Sequence, residues 1–159
     1  MDTPYYEIIH LIERLHRQFL DVLKVELERA GIHDINNVQS LVLHNIGDDE
    51  MTVGELTIRG YYLGSNVSYN VKKMVENGYL IQERSVHDKR SLRVHLSEKG
   101  RDLNNALSGL YETHEEMLAE VGFPQEALVE LNNNLKSLEK FWSSQMTGGS
   151  LRLEKTGTE

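Results

Sequence analysis

Seven histidines are the first residues to test for chemistry, because imidazole binds metals and moves protons near neutral pH. None of them falls into His-x-x-x-His or His-Glu-x-x-His spacing, and His114-Glu115-Glu116 lacks the second histidine a zinc helix requires. The chain has no cysteine, which excludes thiolate metal sites, disulfides and thiol redox sensing together. No phosphate-binding P-loop, Gly-rich dinucleotide turn or nucleophile motif occurs. Asp48-Asp49-Glu50 reads as a solvated loop rather than a cation site. The expectation is a protein with no catalytic residues, no metal and no cofactor.

A different chemistry is written in two polar stretches. In the first, Val67, Val71 and Met74 recur at helical spacing and turn inward. The opposite face then carries Ser65, Asn66, Ser68, Tyr69, Asn70, Lys72 and Lys73. Asparagine can pair two ways with an adenine edge, hydroxyls reach bases or phosphates, and lysines suit phosphates. The second stretch, Asp88-Lys89-Arg90, stands at the centre of a polar turn between two alternating segments. Nine of the 17 Lys/Arg but only five of the 25 Asp/Glu lie between Thr52 and Arg101. That region is therefore +4 and the remainder −12, a basic island in a chain of net charge −8. Phosphate binding depends on local charge, so the island suits nucleic acid despite the acidic total.

These residues need elements to position them. Apolar residues from Ile8 to Leu27 repeat at helical spacing over about Tyr5 to Ala30, closed by Gly31. Asn36 and Gln39 have capping-box spacing before a second helix that ends at Gly47. Thr52 and Glu55 repeat that spacing before a short third helix ending near Gly60, and a fourth runs from about Ser65 to Asn77. Two short helices in tandem read as a helix-turn-helix. After Gly78 the period becomes two: Leu80 to Ser85 and Leu92 to Leu96 form a hairpin with a charged tip, a wing. Ser97 caps a long helix to about Val121, and Pro124 opens a last one with an apolar stripe at Leu128, Leu131, Leu135, Leu138 and Trp142. The fold expected is mainly α, a winged helix-turn-helix with a small β-hairpin wing, flanked by N- and C-terminal helices. No apolar run approaches the ~18 residues of a membrane span, and no signal peptide is evident, so no membrane partner and a cytoplasmic location are expected.

Five pieces in order carry a resemblance: Met51-Thr52-Val53-Gly54-Glu55-Leu56, Ser65-Asn66-Val67-Ser68, Gly78-Tyr79-Leu80-Ile81, Asp88-Lys89-Arg90-Ser91 and Leu96-Ser97-Glu98-Lys99-Gly100. The stretch from Met51 to Leu103, about a third of the chain, resembles the winged helix-turn-helix of the MarR family of bacterial transcriptional regulators. The resemblance implies one domain over 1–146, with winged-helix region 36–99 and dimerisation helices in 1–35 and 100–146; residues 147–159 read as a disordered tail. It implies a homodimer on a pseudo-palindromic operator in double-stranded DNA. The fourth helix would lie in the major groove and Arg90 in the minor groove, with Asp88 holding the arginine. Repression relieved by a small aromatic effector is the outcome it implies most directly. Arg14, His16, Arg17 and Phe19 on the first helix are the candidate effector contacts, joined by Tyr61 and Tyr62. The turn Gly60-Tyr61-Tyr62-Leu63-Gly64 departs from the family's usual Leu-Gly-Leu-Ser type, and is similar to a branch linked to L,D-transpeptidase genes. A winged-helix module that binds protein instead of DNA is the alternative; charge gathered on one helix and a wing tip argues against it.

Overall fold

The computed structural model describes residues 2–60, 64–88 and 90–147, the side chains at 64 and 65 excepted. The helices are α1 (Pro4–Arg29), α2 (Asn37–Ile46), α3 (Val53–Gly60), α4 (Gly64–Glu76), α5 (Glu98–Glu120) and α6 (Gln125–Met146). Three strands accompany them: β1 (Met51–Thr52), β2 (Leu80–Arg84) and β3 (Leu92–Leu96). The chain divides into two compact units, Met1–Ser108 and Gly109–Glu159. The Lys89 and Tyr61–Tyr62 assignments, and the tail from 148 on, lie outside the described residues.

In the first unit the capping signals act as their spacing demands. Asn36 Oδ1 accepts from the Gln39 N–H at 2.8 Å while Gln39 Oε1 accepts from the Asn36 N–H at 3.1 Å, satisfying two otherwise orphaned donors at the start of α2. Thr52 and Glu55 do the same for α3, both bonds at 3.1 Å. The sheet is antiparallel in the order β1–β3–β2. Leu80 pairs with Leu96 and Arg84 with Leu92 along the hairpin. β1 is an addition to the expected pair; Met51 and Thr52 cross to Val94 and Arg93, and two residues are too few for periodicity to reveal.

Val67, Val71 and Met74 of α4 are buried against a core shared with Val42, Leu43, Ile46, Leu56, Val94 and Leu96. Burial of each such side chain contributes roughly 1.5–3 kcal/mol, which sets the rotation of α4 about its axis. Gly78 ends α4 in the left-handed region, φ 81°, and the Tyr79 N–H returns to the Met74 carbonyl at 2.9 Å. That reversal feeds the chain directly into β2. In the second unit the latter part of α5 and the whole of α6 are joined by a turn in which the Phe123 N–H returns to the Leu118 carbonyl at 2.9 Å. α6 has no buried residue, and α1 has only Leu23 and Leu27. Among the described residues no helix is long and apolar enough to cross a membrane.

Candidate nucleic-acid interface

With its apolar side fixed inward, α4 presents Asn66, Ser68, Tyr69 and Lys72 to solvent, and leaves Asn70 and Lys73 half-exposed. Tyr69 is 61% exposed, so it is part of the polar face and not of the core. Lys73 Nζ lies 5.9 Å from the Tyr69 ring centroid and 3.3 Å from the Glu76 carboxylate, which holds it over the aromatic face. Asn70 is drawn toward α2, where its Oδ1 accepts from Gln39 Nε2 at 3.3 Å.

The wing tip is organised by Asp88. Its carboxylate accepts from the Arg90 backbone N–H and the Ser91 hydroxyl, both at 3.0 Å, and its carbonyl accepts from the Ser91 N–H at 3.0 Å. Ser85 Oγ accepts from the His87 and Asp88 N–H groups at 3.3 and 3.4 Å. This is a side-chain-closed turn of the kind aspartate favours. Asp88 therefore holds Arg90 through the backbone of the turn. Among the described residues, the carboxylate is engaged with the turn itself, and Arg90 is held through its backbone. Its side chain is exposed at the tip.

Charge counting overstates the positive surface. Arg59 pairs with Asp49 at 2.8 Å, Lys73 with Glu76 at 3.3 Å, Arg93 with Glu55 at 3.8 Å, and Lys99 with Asp34. Among the described residues, at least four of the nine cations in the basic island are thus paired locally, and Asp49 is a guanidinium partner. Lys72 on α4 and Arg90 on the wing remain among the exposed cations.

Behind this surface a polar brace fixes the junction of α4, β2 and α5. The Tyr79 hydroxyl donates to one Asp34 oxygen and Lys99 Nζ to the other. Lys99 also donates to the Asn77 carbonyl at 2.9 Å and stands 4.3 Å from the Tyr79 ring centroid. Asn77 Nδ2 donates to the Asp34 carbonyl at 2.8 Å. Lys99 first, and the Tyr79 hydroxyl second, hold the Asp34 carboxyl below its usual range, while burial pushes the Tyr79 phenol up. Ser97 Oγ donates to the Gly78 carbonyl and accepts from the Gly100 N–H at 3.1 Å, capping α5 on the end of α4.

The exopolysaccharide II synthesis transcriptional activator ExpG of Rhizobium meliloti (strain 1021) is 38% identical over 142 residues, spanning 89% of this chain and 73% of its own. The MarR family model matches residues 33–91, from the α1–α2 loop to the wing tip. The chain belongs to the MarR family. It is accordingly a winged-helix transcriptional regulator and not an enzyme. The same fold appears in the crystal structure of Streptococcus pneumoniae FabT in complex with DNA. That match has a TM-score of 0.73 at 20% identity, covering 89% of this chain and 99% of the other. It appears again in the organohalide-sensing regulator RdhR in its 2,4-dichlorophenol-bound form, TM-score 0.69 at 23% identity, covering 89% and 82%.

Among the described residues, the candidate effector positions on α1 do not share one face of the helix. Arg14 and Arg17, three residues apart, share a face of α1 from which His16 is turned away, and all three are exposed. Arg17 pairs with Glu13 at 2.7 Å, and its guanidinium holds that carboxyl below the usual range. Phe19 is half-buried. A groove of about 450 Å³ lies instead at the end of α1 and the loop into α2, where Lys24, Leu27, His33, Ile35 and Asn36 line it, and none of the four candidates does. Sequence reasoning also missed Asp34 and the partnership of Gln39 with Asn70. Their partners lie 45, 65 and 31 residues away, beyond any local pattern.

Proposed function

We propose that the protein binds duplex DNA as a two-fold dimer, one α4 in the major groove of each half-site and one wing tip in the flanking minor groove. The observation that carries this reading is the pairing, in one compact unit, of a polar α4 face with a wing whose turn holds Arg90 outward. Ser65, Asn66, Ser68, Tyr69, Asn70, Lys72 and Lys73 form the major-groove set. Asp88, Lys89 and Arg90 form the wing set, with Asp88 shaping the turn and Arg90 seeking the negative potential of a narrow minor groove. The DNA complex of FabT supports this use of the fold. Two-fold symmetry then predicts a pseudo-palindrome with half-sites about one helical turn apart.

Release by a small aromatic ligand is the regulation proposed, supported by the dichlorophenol-bound form of RdhR. Repression is the outcome proposed at the regulated promoter. ExpG is named as an activator, and that relationship favours activation as the second reading. The L,D-transpeptidase branch rests on residues 60–64, most of which lie outside the described residues, so it gains no support.

The test is selection of bound fragments from random or genomic duplexes, followed by fluorescence anisotropy at two salt concentrations. Recovery of a pseudo-palindrome whose affinity falls steeply with salt is the expected result. A folded dimer that enriches no sequence even at low salt would overturn it. A promoter reporter with and without the protein then separates repression from activation.

A further inference from the structure

Gln39 stands where two elements meet. It is only 6% exposed, and both ends of its amide are committed. Oε1 accepts from the backbone N–H of Asn36 at 3.1 Å, and Nε2 donates to Asn70 Oδ1 at 3.3 Å. The polarity of this chain is forced from one end. A backbone N–H can only donate, so Oε1 of Gln39 must face Asn36; Nε2 must then face α4. Asn70 must meet that donor with its own acceptor, which leaves Nδ2 as the free end of its amide. Among the described residues no side-chain nitrogen or oxygen is both buried and without a hydrogen-bond partner, so this Nδ2 is accessible to solvent. Asn70 also lies at i+4 from Asn66 and i−3 from Lys73, on one stripe of α4.

We infer that Gln39 is a positioning residue for DNA contact, locking the Asn70 amide in one orientation so that Nδ2 is the end that donates to the duplex. This inference rests on the DNA binding proposed above. An amide oxygen carries two lone pairs, so the bond from Gln39 occupies one acceptor position of Oδ1 and fixes which end of the amide donates. The outward Nδ2 suits an acceptor: a phosphate oxygen, or an acceptor atom on a base edge.

The experiment is a double-mutant cycle read by anisotropy on the selected operator: the unaltered protein, Gln39→Met, Asn70→Ala and the pair. Each single change is expected to weaken binding about five- to tenfold, the worth of one hydrogen bond. The double variant is expected to be no weaker than the weaker single one. If Gln39 only caps α2, its loss is independent of Asn70 and the two fold-changes multiply; that result overturns the inference, as does Gln39→Met binding like the unaltered protein. Should Gln39→Met fail to fold, Gln39→Glu serves. Its carboxylate keeps the cap but, accepting only, forces the Asn70 amide to turn around. Its loss is then expected with Asn70 present and largely absent in the Asn70→Ala background, where any effect of the added charge alone would persist. Loss confined to one base position assigns the acceptor to a base edge, and uniform loss across sequences assigns it to a phosphate. If the unaltered protein binds no duplex, the proposed function itself falls; if it binds and the losses multiply, only the role of Gln39 does.

Discussion

At the wing tip, shape and charge are supplied by different residues. Both oxygens of the Asp88 carboxylate are used inside the turn, on the Arg90 N–H and the Ser91 hydroxyl. In the proposed complex, that leaves the exposed guanidinium of Arg90 to meet the duplex. Removing the charge should therefore cost binding without costing the fold. Arg90→Ala is expected to weaken operator binding at least about tenfold, with an unchanged melting temperature and a shallower salt dependence. Equal affinity in an anisotropy titration would take Arg90 out of the interface. The sequence made Arg90 and Asp88 legible as a pair, because their spacing is local. It did not reveal that the aspartate acts on the backbone, since arginine and amide are equally good donors on paper and only the turn geometry chooses between them.

Among the elements, the junction of α4, β2 and α5 decides where α4 ends and where the wing begins. Gly100 is the tightest point of that junction: a Cβ built there would fall on the Tyr79 carbonyl oxygen, well inside contact distance. Backbone is what would have to move, so Gly100→Ala should destabilise by about 1–3 kcal/mol. For a chain of this size that is a fall of roughly 3–10 °C in a thermal melt, and an unchanged melt would mean that the junction relaxes freely. The Asp34 carboxyl across the same junction is held below its usual range, chiefly by Lys99 and then by Tyr79. A depressed carboxyl contributes stability that is fully present above its unfolded value of about 3.9, and loses it as pH falls through the folded value. The stability gap between the protein and Asp34→Asn is thus expected to be constant from about pH 5 to 8 and to close below about pH 4. Denaturant midpoints measured across that range test it; a gap that does not narrow as pH falls below about 4 would assign the effect to something other than titration. Caps at Asn36, Thr52 and Ser97, the inward row of α4 and both strands of the hairpin were legible because each is a pattern within a few residues. Asp34 was not, being one acidic residue in a loop until folding brings Tyr79 and Lys99 to it.

For the whole molecule, the outstanding feature is apolar surface left uncovered. Within α1, Tyr5, Tyr6, Ile8, Ile9, Leu11 and Leu15 are exposed; so are Met117 and Val121 of the second unit, with Leu131, Leu135, Phe141 and Met146 on α6. The apolar stripe on α6 was read from its spacing, but a stripe fixes only which side is to be buried and leaves open what buries it. In the single chain nothing on α6 is buried. Monomers rarely leave so many large apolar side chains to water, and a second copy of the chain covers them in the arrangement proposed here. Sedimentation at micromolar concentration is then expected to give twice the chain mass of 18.3 kDa, and an 18.3 kDa species alone would remove the dimer and its palindromic operator together. Leu135→Glu separates the two cases further. If α6 is merely solvated, an exposed charge there costs almost nothing and the melt is unchanged at every concentration. If α6 is an interface, the change drives the protein toward monomer and lowers the melting temperature. Dilution then lowers it further, because folding and assembly are linked by mass action. The same variant should lose operator affinity with α4 and the wing untouched, since each half-site would then have to be bound alone.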